Sequence, residues 1–149
     1  MYIDEDILSD VAYAICKAIS EIAGRSGITY VSMVGKNMLK LAEEKGAVSD
    51  KLDDPLKSLN KFLKFFVDLE YADRIEAKIE NDVLRIEFKN IKFFESEVLL
   101  KSEKSRVLPL YVTFAARAFL EKYFSMNLIY HDYEQNEEEK IVYGALKIL

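Results

Sequence analysis

Near residue 72 the hydrophobic rhythm of this 149-residue chain changes from a helical period to strict alternation, and that change limits the folds open to it. Upstream, apolar residues recur at spacings of three and four. Ile7, Leu8, Val11, Ile15, Ala18, Ile19 and Ile22 form one stripe over about 4–23, with Asp4 as a cap and Ile3 and Leu8 placed as a hydrophobic staple. Gly24 supplies a stop. A second helix is expected over 29–45, with Val31, Val34, Met38, Leu41 and Ala42 inward, and Gly46 as its terminator. Gly35 beside that stripe costs about 1 kcal/mol against alanine, so close helix packing is the compensation to look for. Asp54-Pro55 pairs an oxygen-bearing cap with a proline at the first helical position, and the helix behind it carries Leu56, Leu59, Phe62, Leu63, Phe66 and Leu69.

Downstream, Ile75, Ala77 and Ile79 alternate with charged neighbours, Asn81-Asp82 breaks the run, and Leu84, Ile86 and Phe88 resume it. A two-residue loop sets Ile79 opposite Leu84, Ala77 opposite Ile86 and Ile75 opposite Phe88. It also sets Glu76 opposite Glu87 and Lys78 opposite Arg85, a repulsion that diagonal Lys78–Glu87 and Glu76–Arg85 contacts would offset. Residues 92–100 have no clean period, and 101–106 read as a solvated loop. The stretch 108–124 is so apolar that it reads as a central helix packed on the sheet. Strands over 127–133 and 141–149 follow, joined by the acidic turn 134–139. The fold class is therefore α+β: N-terminal helices, then an antiparallel sheet of about four strands in hairpin–helix–hairpin order, covered by helices mostly on one face. No repeat or linker divides the chain, which reads as one domain over 1–149, helical to 70 and sheet-forming from 71.

Charge and composition narrow the function. The formal charge is −5 and no Lys/Arg-dense window appears, which argues against nucleic-acid binding. Cys16 is the single cysteine and His131 the single histidine, so neither a disulfide framework nor a multi-histidine metal site is available, and no cofactor is expected. The longest uncharged apolar stretch, 107–116, is too short for a bilayer core of roughly 30 Å. The start, Met1-Tyr2-Ile3-Asp4-Glu5-Asp6, is acidic where a signal peptide is basic, which points to the cytoplasm. Abundant Lys, Glu and Ile with Gln135 as the one glutamine is the composition of a thermophilic, archaeal-type source.

Few residues invite chemistry. Adjacent strand residues point to opposite faces, so His131 and Asp132 cannot act as an acid–base pair. Cys16 lies by the first stripe and reads as a small buried hydrophobe. Gly24-Arg25-Ser26-Gly27 lacks the strand and the Lys-Ser/Thr of a phosphate loop, and Glu137-Glu138-Glu139 reads as a solvated tip. Arg117 has two readings. It is either an exposed Arg117–Glu121 pair at i, i+4, or a cation beside Tyr111 and Phe114 at the mouth of an apolar cavity, set for a ligand carboxylate or phosphate.

The segment Gly35-Lys36-Asn37-Met38-Leu39-Lys40-Leu41-Ala42, the hairpin Val83-Leu84-Arg85-Ile86-Glu87-Phe88-Lys89-Asn90, the lead Leu108-Pro109-Leu110 into a helix with Ala115-Ala116, and the closing Tyr143-Gly144-Ala145-Leu146-Lys147-Ile148 belong to one layout. From about residue 26 onward it resembles the 4-vinyl-reductase-type small-molecule-binding domain. That superfamily shares its fold with the transport-protein-particle subunits of vesicle tethering and with haem nitric-oxide-binding domains. Members often carry cysteines around the positions of Pro109 and Gly144, and this chain has none there. A haem reading needs a histidine on a helix, whereas His131 falls in an expected strand. The resemblance implies a fold and an apolar-ligand or interaction role, and carries over no catalytic or metal residue. The expectation is a non-catalytic ligand-sensing or protein-interaction domain that self-associates through its N-terminal helices as a homodimer. A structural subunit without a small-molecule site is the alternative, and an enzyme using Arg117 and His131 the third reading.

Overall fold

A computed structural model describes residues 5–23, 27–92, 94–104 and 110–149. The elements run α1 (Glu5–Ala23), α2 (Gly27–Glu44), α3 (Pro55–Asp68), β1 (Arg74–Glu80), β2 (Val83–Lys89), α4 (Phe94–Ser102), α5 (Tyr111–Phe124), β3 (Leu128–Asn136) and β4 (Ile141–Ile148). The expected cap and staple at Ile3, Asp4 and Leu8, the stop at Gly24, the stretch Gly24-Arg25-Ser26, and Leu108-Pro109 lie outside the described residues or side chains.

Local chemistry explains where α3 begins and α2 ends. Asp54 accepts a hydrogen bond from the Lys57 amide at 2.9 Å, and Pro55 opens the helix where its missing N–H is not needed. Gly46 closes the α2 turn at φ 74°, a left-handed conformation that suits glycine.

The sheet order is β1-β2-β4-β3, antiparallel throughout. The first hairpin adopts the register expected from its alternation, with Ile79 opposite Leu84, Ala77 opposite Ile86 and Ile75 opposite Phe88. Asn81 takes the positive φ, 56°, that the turn requires. On the outer face the charges pair differently from expectation. Glu87 is held by Arg74, and Arg85 reaches Glu134 of β3 at 3.0 Å while its guanidinium lies over the Tyr143 ring. Ala145, directly opposite Arg85 on the intervening β4, leaves room for that reach.

α5 is the central helix. Its residues 112–116 and 118–120 are all buried, because α2 covers one side and the sheet the other. A Cβ on Gly35 would lie 2.5 Å from the Phe114 carbonyl carbon, so α2 and α5 touch backbone to backbone. On the opposite side a Cβ on Gly144 would lie 2.4 Å from Thr113 Oγ1, which brings β4 equally close. α3 packs over β1 and α5, with Phe62 stacked on Phe119 at 4.7 Å. Asn60 of α3 also covers the edge of β1. Its Oδ1 accepts from the Ala77 amide at 2.9 Å and its Nδ2 donates to the Ala77 carbonyl at 3.2 Å, capping a backbone that no strand pairs.

Three boundaries depart from the sequence reading. The aperiodic stretch after 92 forms α4, and Lys101 and Ser102 complete that helix instead of starting a loop. Lys101 donates to the Tyr133 carbonyl at 3.1 Å, a long-range anchor with no local signature. β3 runs on to Asn136, so the turn is 137–140 rather than 134–139. The cause is Glu134 and Gln135, which pair with Tyr143 and Val142 across the ladder despite their low strand propensity.

Candidate functional site

The connectors at one end of the sheet border an open cavity of about 800 Å³. Ser9 of α1 lies at its border, Val67 and Glu70 come from the end of α3, Ala72 and Asp73 lead into β1, and Asn90, Ile91 and Lys92 leave β2. The connectors are tied to one another through backbone. Asp73 N–H donates to the Lys89 carbonyl at 2.8 Å, Asn90 N–H to Lys140 at 3.0 Å, and Lys92 N–H to Tyr71 at 2.9 Å. Asn90 Nδ2 adds a 2.7 Å bond to Asp73 Oδ2. Glu70, Asn90 and Lys140 hold φ of 62°, 50° and 52°. Left-handed backbone at non-glycine residues is disfavoured by roughly 1–2 kcal/mol each, and the cross-ties keep it in place. The wall is mixed: Val67, Ala72, Ile91 and Phe94 are apolar, while Glu70, Asp73, Lys92 and Lys140 carry charge.

A second hollow, about 270 Å³, lies on the outer face of the sheet beside Arg85, Tyr143, Glu134, Asp132 and His131. β3 carries a bulge here: the register passes from Tyr130 to Asp132, so His131 is the extra residue. The bulge interrupts the strict alternation from which opposite faces were inferred for His131 and Asp132, and both border this hollow. His131 is exposed, and Asp132 Oδ1 accepts from the Tyr133 amide at 2.7 Å.

The residues singled out on α5 go to three different neighbours. Tyr111 is half-buried, with its hydroxyl 3.8 Å from Sγ of the fully buried Cys16. Burial, then the nearby Cys16 and Tyr30, hold its phenol proton far above the ordinary tyrosine range. Phe114 is 2% exposed and stacks on Tyr130 at 6.3 Å. Burial, then the charge of Asp132, push the Tyr130 phenol up to about 12. Arg117 donates through Nε to Glu121 at 2.9 Å, the i, i+4 pair of its first reading. None of the three borders either hollow described above.

Sequence reasoning missed the connector residues Ser9, Glu70, Asp73, Asn90, Lys92 and Lys140. Asn90 offered one signal, a residue tolerant of positive φ directly after a strand. The others meet only because three separate connectors converge beside α1. Among the described residues no group of three His, Cys, Asp or Glu side chains is placed to hold a metal ion. No described helix is long and apolar enough to cross a membrane.

Neither a protein-family profile nor a curated protein matches the sequence. A solved structure is similar in fold: Cs H-NOX carrying 4-cyano-L-phenylalanine at its site 5, with a TM-score of 0.54 at 12% identity, over 99% of this chain and 75% of that one. At that identity the likeness concerns the backbone path alone. It places this chain among α+β domains of H-NOX-like fold, one of the folds that the sequence resemblance implied.

Proposed function

We propose that this protein is a non-catalytic small-molecule-sensing domain that works as a homodimer. The cavity at the connector end of the sheet carries the reading. Its volume, about 800 Å³, falls within the roughly 300–1,000 Å³ of small-molecule sites, and its backbone cross-ties make it preformed. The mixed wall suits an amphipathic ligand, with an apolar body against Val67, Ile91 and Phe94 and a polar group within reach of the charged rim. To the apolar ligand expected from sequence this adds a polar end. The H-NOX-like fold supports the sensing role at the level of architecture. An enzyme using Arg117 and His131 would need both at one pocket; Arg117 is paired with Glu121, and of the two only His131 borders a described hollow.

Native mass spectrometry of the purified protein tests the proposal. The expected spectrum is a dimer carrying a co-purified molecule of defined mass, which is lost when Ala72→Trp fills the cavity. A protein that carries nothing and shows no thermal shift across a metabolite library would end the sensing reading. The second reading, a structural subunit, is favoured by one observation: α1 exposes an apolar face.

A further inference from the structure

The wall of the connector cavity is graded in polarity. Ala72 and Ile91 are buried and Val67 and Phe94 half-buried, which gives it an apolar side. Glu70, Asp73, Asn90 and Lys140 are exposed along its rim. Ser9 is only 9% exposed, yet its hydroxyl makes no hydrogen bond with a described residue. A hydroxyl so placed is costly to leave unpaired, so an occupant of the cavity is expected to supply its partner. Glu70 and Lys140 likewise make no ion pair, with each other or with any other described residue. Their neighbours on the rim are engaged: Asp73 accepts from Asn90 at 2.7 Å, and Lys92 has a partner of its own.

The two unpaired charges are presented from held backbone. Glu70, at φ 62°, sits in a turn closed by its own N–H to the Val67 carbonyl at 2.9 Å and by Tyr71 N–H to Phe66 at 3.0 Å. Lys140, at φ 52°, receives the Asn90 N–H at 3.0 Å. A ligand that meets them does not have to order the loops that carry them.

We propose that the cavity takes an amino-acid-like zwitterion. Its ammonium meets Glu70 and its carboxylate Lys140, while an apolar side chain lies against Val67, Ile91 and Phe94 and brings one hydrogen-bonding atom to Ser9. The inference rests on the small-molecule-sensing reading and names the ligand class of that site. Charge decides between the classes. A ligand with a carboxylate alone meets the like charges of Glu70 and Asp73, and a ligand with an amine alone meets those of Lys92 and Lys140. A zwitterion gives each sign its complement. The cavity, about 800 Å³, admits a side chain as large as an indole.

Calorimetric titration of the full chain with L-tryptophan tests the class, against tryptamine, which lacks the carboxylate, and indole-3-propionate, which lacks the ammonium. L-tryptophan binds, and each single-charge analogue binds more weakly by about tenfold. Glu70→Gln removes the preference over indole-3-propionate and keeps that over tryptamine; Lys140→Gln does the reverse. Both positions are exposed, and a loss of fold would weaken all three compounds alike. Ser9→Ala weakens L-tryptophan by about tenfold and leaves L-phenylalanine, whose ring carries no hydrogen-bonding atom, unchanged. Equal binding of the three indoles, no binding of L-tryptophan, or preferences that survive both charge substitutions overturns the ligand class. An unchanged Ser9→Ala overturns the contact to Ser9. A co-purified molecule of other chemistry in the native mass spectrum then leaves the sensing role standing, whereas a bare protein with no thermal shift across the metabolite library removes both.

Discussion

Replacing Gly35 with alanine tests the packing that supports the whole structure. The added Cβ would lie 2.5 Å from the Phe114 carbonyl carbon, 2.7 Å from the Ala115 nitrogen and 2.7 Å from Phe114 Cβ. Carbon contacts are comfortable near 3.5 Å, so α2 and α5 must part by about 1 Å. Overpacking of this kind destabilises by roughly 1–3 kcal/mol. Alanine returns about 1 kcal/mol through helix propensity. The net expectation is a loss of up to about 2 kcal/mol, or a melting temperature lower by up to roughly 8 °C for a domain of this size. Urea unfolding should show a lower midpoint at unchanged slope. Two of the three nearest atoms are backbone, so trimming Phe114 to leucine in the same chain should not rescue the loss. Gly46→Ala is the control: nothing lies within 4 Å of its Cβ, and only the left-handed φ of 74° opposes it. If Gly35→Ala instead raised the midpoint, propensity would outweigh contact, and the close approach of α2 to α5 would be refuted.

Asn60→Ala should destabilise by about 1–3 kcal/mol, because it strips both the Ala77 amide and the Ala77 carbonyl of their partner at a strand edge; an unchanged urea midpoint would contradict the edge-capping role. The Lys17 ammonium, then the Tyr13 hydroxyl, hold the Glu103 carboxyl below its ordinary value of 4.5. Its contribution is therefore present above that value and is lost as pH falls through the lower, folded one. Amide exchange in α1 should accelerate in that acid range ahead of α5, and Glu103→Gln should already show the faster exchange at neutral pH. Identical α1 exchange in the two proteins at both pH values would count against the tether.

Period and turn chemistry alone determine much of this protein. The alternation around Asn81-Asp82 set the register of β1 and β2, because a one-residue slip would turn Ile75, Ala77, Leu84, Ile86 and Phe88 away from the helices. Asp54-Pro55 marked the start of α3, and Gly46 the end of α2, through backbone geometry that neighbouring residues suffice to dictate. The apolar run read as a helix over 108–124 forms α5 from Tyr111, and the cover that α2 adds opposite the sheet is a tertiary feature. Only tertiary structure decided that β4 lies between β2 and β3, which redirected Arg85 to Glu134 and left the expected diagonal pairs unmade. It also decided that α1 packs through Ser9, Ala12, Cys16 and Ile19 and turns Ile7, Ile15 and Ile22 outward, a choice between two faces that a stripe in sequence does not encode. The connector cavity was illegible for the same reason. Its residues are distant in the chain and unremarkable singly, and what brings them together is the backbone bonding between loops, which depends on where the sheet's ends fall in space.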